Sequence, residues 1–69
     1  MDYKLVTAAV KIKIQMDRNA AKRQRFINEG RHSQADRLYG KVVTLQKDLI
    51  RLKEGMTPEE LTHYNRRVA

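Results

Sequence analysis

Between Ser33 and Gly55, apolar residues recur at alternating spacings of three and four: Ala35, Leu38, Val42, Leu45, Leu49 and Leu52. On a helix this spacing gathers all six onto one stripe, the seam of a coiled-coil-type pairing. Ser33 with Asp36 three residues later resembles a capping box, and Gly55 offers the left-handed conformation that closes a helix at little cost. The pattern predicts a helix over about 34–54. A second row, Tyr39, Val43, Gln46 and Ile50, runs beside the first and makes the apolar surface wider than one partner helix would cover.

Upstream, Leu5, Ala9, Ile12, Met16, Asn19 or Ala20, Arg23 and Phe26 repeat the same spacing, with Asp2 placed to cap and Gly30 to stop a first helix over about 3–29. Val10 to Ile14 alternates with period two and is β-branched, as a half-exposed strand would be. A lone strand would leave its backbone groups unpaired, so the helix is preferred. The short connection Gly30-Arg31-His32 suits an antiparallel hairpin, with Phe26 near Leu38, Met16 near Leu45 to Leu49, and Leu5 near the end of the second helix. Downstream, Thr57, Pro58 and Glu60 spell a cap, a first helical position and a capping-box partner, with Met56 and Leu61 placed as a hydrophobic staple. A short third helix over about 58–67 follows, its stripe being Leu61, Tyr64 and Val68. The expected fold is all-α: one domain over 1–69, an antiparallel helical hairpin plus a short C-terminal helix.

Length changes this picture first. Sixty-nine residues bury too little apolar surface to be comfortably stable alone, and the absence of cysteine removes disulfides and thiolate metal sites as staples. His32 and His63 are too few for a zinc site without carboxylate help, so no metal or cofactor is expected. A second copy of the chain is the remaining staple, and a homodimer is expected.

Charge changes it next. Fifteen Lys and Arg against eight Asp and Glu leave +7, carried by residues 1–30 (+4) and 31–55 (+3), with 56–69 balanced. Such a field attracts acidic protein surfaces, nucleic acid or anionic lipid. The longest purely apolar run is Ala8 to Val10, so no signal peptide or membrane span is read, and a cytoplasmic protein without membrane insertion is expected.

The candidate chemistry is that of recognition. No nucleophile motif, phosphate loop or metal-spaced cluster occurs, and an enzyme is not expected. Lys11, Gln15, Arg18, Lys22 and Arg25 share one face of the first helix, away from its seam. The plain reading is a solvated face. The functional one is a surface for an anion or a second partner, nonspecific nucleic-acid binding being the alternative function. A helix-turn-helix needs a short recognition helix that these long helices do not provide. Tyr39 lies one step off the seam beside Gly40, and Val43 and Lys47 continue its row. These four either pack against a second copy or form a partner-binding strip with Tyr39 as aromatic anchor.

The length, the two long helices around Gly30-Arg31-His32, and Tyr39 on the second helix resemble the quorum-sensing anti-activators encoded by temperate phages of Pseudomonas. The resemblance implies a dimeric helical hairpin acting in the host bacterial cytoplasm. It would bind and inhibit a LuxR-type transcription regulator (LasR-like) and also a type IV pilus assembly ATPase (PilB-like). It implies for Tyr39 a contact to the regulator.

Overall fold

The computed structural model describes residues 3–69, which form three helices: α1 (Lys4–Asn28), α2 (His32–Glu54) and α3 (Pro58–Val68), with no strand among the described residues. Val10 to Ile14 is helical throughout. Asp2, the expected cap of α1, lies outside the described residues; Tyr3 holds the N-cap position without a side-chain cap bond.

The turn between α1 and α2 is built by Gly30. Its φ of +77° is left-handed, which glycine adopts without a Cβ clash. The Gly30 N–H donates to the Ile27 carbonyl at 3.1 Å and the Arg31 N–H to the Phe26 carbonyl at 2.7 Å, the paired bonds of a Schellman closure. The same turn starts the next helix earlier than the sequence suggests. The Arg31 carbonyl already accepts from Ala35 N–H at 3.1 Å, so Arg31 is the N-cap of α2, without a side-chain cap bond, and Ser33 lies inside the first turn. The expected Ser33–Asp36 cap is therefore not formed.

The end of α2 also differs from expectation. Gly55 is right-handed, with φ −84°, and its N–H donates to the carbonyls of Arg51 (3.3 Å) and Leu52 (3.2 Å) in a tightened last turn. The stop comes from the next residues: Pro58 pushes Thr57 into extended backbone, φ −71° and ψ 162°. There the predicted capping box forms in full, Glu60 N–H donating to Thr57 Oγ1 at 3.2 Å and Thr57 N–H to Glu60 Oε1 at 2.9 Å.

α1 and α2 run antiparallel along their lengths, and α3 folds back onto α1. A Cβ on Gly55 would sit 3.8 Å from Leu5 Cδ1, which puts Leu5 beside the end of α2 as the hairpin register requires. The core gathers at that end: Val6, Ala9, Val10, Leu49, Met56 and Tyr64 form one buried cluster, with Leu61 and Val68 packed on it. Val6 and Val10 are off the predicted seam of α1. Their burial follows from α3, which gives α1 a second neighbour and a wider apolar face. Toward Gly30 the described residues form two helices and no third, and Ala35 and Leu38 are their buried residues in that half.

Candidate functional site

The exposed apolar side chains mark the candidate surface. Tyr39 is 55% exposed, Ile50 48% and Ile14 46%. Tyr39 and Ile50 share α2 with half-buried Val43 between them, about three turns or 16 Å end to end. The Tyr39 ring is faced from α1: the Arg23 guanidinium carbon stands 5.1 Å from the ring centroid. Arg23 occupies a seam position of α1, and its buried Nε has no hydrogen-bond partner among the described residues. Ring and cation lie within cation–π range, a contact worth about 0.5–1 kcal/mol where solvent reaches it. Lys47 continues the row and is exposed.

Gly40 opens elsewhere. One residue and about 100° around the helix from Tyr39, it lines a groove of about 640 Å³ with Arg37, Lys41, Thr44 and Leu45 of α2 and Gln15 and Asn19 of α1. A Cβ at Gly40 would meet nothing within 4 Å. Tyr39, Gly40, Val43 and Lys47 therefore divide: Tyr39 leans on Arg23, and Gly40 faces the groove on the other flank of α2. Asn19, an uncharged polar residue of the α1 seam, is half-buried at that groove.

Lys11, Arg18, Lys22 and Arg25 are all exposed along the outer face of α1, with Ile14 among them. Lys22 and Arg25 reach the hairpin tip, where they line a small hollow of about 250 Å³ with Phe26, Glu29 and Arg31. Arg31 is paired there with Glu29 at 3.4 Å.

Two contacts made by α3 were invisible in the sequence. His63 stacks on Tyr3, centroids 4.4 Å apart and planes 16° from parallel. Tyr64 is buried, with Lys53 Nζ 4.9 Å from its ring centroid. Burial raises the Tyr64 phenol above its ordinary value of 10.0, Lys13 opposing this and Asp17 adding to it. Both contacts depend on where α3 docks, which no local spacing encodes.

Among the described residues no group of three or more His, Cys, Asp or Glu could hold a metal ion, and no helix is long and apolar enough to cross a membrane. No family model matches the chain, and neither a curated protein nor a solved structure matches it.

Proposed function

We propose that this chain is a small inhibitor that acts by occupying other proteins, an anti-activator of the kind its sequence resembles. Its first target is a LuxR-type transcription regulator of the LasR kind, and a second is a type IV pilus assembly ATPase of the PilB kind, met in the bacterial cytoplasm. It acts as a homodimer. The observation that carries the reading is Tyr39: a large aromatic ring, more than half exposed, on a long helix and within cation–π range of Arg23. An aromatic ring brings a large contact area at low side-chain entropy cost, which is why such residues dominate interfaces.

The test is Tyr39→Ala measured against a purified LasR-type regulator. Affinity falls about thirtyfold or more, the loss typical of a hot-spot residue, while helix content stays at the wild-type level because Tyr39 lies outside the core. Unchanged affinity would refute the role of Tyr39.

A second reading has its own observation. Lys11, Arg18, Lys22 and Arg25 present four exposed cations over about 21 Å of α1, enough for a few phosphate contacts with nucleic acid. That reading requires binding to duplex DNA that weakens steeply with salt and is lost in Lys22→Glu with Arg25→Glu.

A further inference from the structure

We propose that the groove bounded by Gln15 and Asn19 of α1 and Arg37 and Lys41 of α2 docks an acidic amphipathic helix of another protein. This surface is separate from Tyr39 and does not depend on the reading given to that residue.

Shape is the first argument. The groove is a valley between two antiparallel helices, about 640 Å³ in volume. Elsewhere in the molecule, a third helix, α3, lies against α1 and buries Val6 and Val10. On this flank no helix of the described residues does so. Gly40 lets a visiting backbone come close, since the space its Cβ would enter is empty. Leu45 supplies a half-buried apolar floor. Thr44 spends its hydroxyl hydrogen on the Gly40 carbonyl of its own helix, at 3.0 Å, and so does not demand a donor-seeking partner.

Charge is the second. Among the described residues no acidic side chain lines the groove. Arg37 and Lys41 stand one turn apart on α2, both exposed and neither ion-paired among the described residues. Like charges at this spacing repel, and a carboxylate between them turns the repulsion into attraction. The Gln15 and Asn19 side-chain amides on the opposite wall can pair with polar groups on the other side of the docked helix. Asp or Glu facing Arg37 and Lys41, with aliphatic residues toward Leu45 on one side and small residues toward Gly40 on the other, meet these features in one helix. A second copy of this chain, at +7, brings mostly cations to the groove. A nucleic-acid backbone leaves its apolar floor unused.

The test is fluorescence polarisation of the full chain with three labelled probes: a synthetic amphipathic helix with an Ala/Leu face flanked by glutamates, the same peptide with lysine for glutamate, and a short DNA duplex. The glutamate peptide binds and the lysine peptide does not. Arg37→Glu with Lys41→Glu weakens binding about tenfold or more, and Gly40→Leu also weakens it, with circular dichroism unchanged in both. Tyr39→Ala leaves it as in the wild type, so a failed anchor and a failed groove are told apart. The proposal is overturned if the wild type ignores the glutamate peptide, if the Arg37/Lys41 variant binds it equally well, or if the duplex binds through these two residues and the peptide does not.

Discussion

Gly30 and Gly40 are the same residue under opposite demands. Gly30 is left-handed, and a side chain there is strained even though nothing crowds it; Gly40 sits in ordinary helix with open space around it. Substitution by alanine therefore has opposite signs at the two sites. Gly30→Ala destabilises by about 1–2 kcal/mol, the cost of a left-handed Cβ, and Gly40→Ala stabilises by about 1 kcal/mol through helix propensity. Urea unfolding of the two variants beside wild type reads both; a destabilised Gly40→Ala would refute the gain expected from helix propensity. Tyr64 adds a pH dependence. Burial keeps its proton above the ordinary value, so the folded chain holds a proton that the unfolded chain releases. Stability from this group is whole below pH 10 and declines as pH rises beyond it. Tyr64→Phe lacks that part of the alkaline decline, which shows as a smaller fall in unfolding midpoint above pH 10 than in wild type.

The ends of the helices show what local sequence can and cannot decide. At Thr57 the whole signal is local: a hydroxyl, a proline and a glutamate within four residues, and the structure carries each bond. Thr57→Ala removes the Oγ1 acceptor of the Glu60 N–H, costs about 1 kcal/mol, and frays the start of α3. Hydrogen exchange at the first amides of α3 should rise in step with the fall in stability. Unchanged protection would mean that docking on α1, and not the cap, holds that end. At Ser33 the local signal pointed to a cap, but the Gly30 closure had already aimed the Arg31 carbonyl at Ala35 N–H. Two residues at the preceding turn outweighed a good capping residue. The hairpin was legible because both seams repeat over many turns and a glycine separates them. Val6, Val10 and the Tyr3–His63 stack were not, because they answer to α3, about sixty residues away in sequence from Tyr3. Tyr39 could be picked out as one step off the seam. The groove beside Gly40 could not, since its two walls belong to different helices and only their register brings Asn19 opposite Lys41.

The whole molecule is long and thin, 46 × 19 × 14 Å with a radius of gyration of 14.1 Å. A compact chain of this length has a radius of about 11 Å. Its accessible surface is 5205 Å², against about 4500 Å² for a folded monomer of its mass. One half of the hairpin has two helices and little buried between them, and that is the surface the proposed homodimer would cover. Self-association and target binding then respond to salt in opposite ways. Each chain carries +7, so two copies repel over the reach of the field, and added salt screens that repulsion. A complex with an acidic partner is held partly by attraction, which the same salt weakens. Sedimentation velocity across a dilution series should therefore show a dimer that tightens between low ionic strength and about 0.15 M, and the unfolding midpoint should rise with protein concentration. A single monomeric species at every concentration and salt would remove the dimer and leave the exposed apolar row of α2 to foreign partners alone.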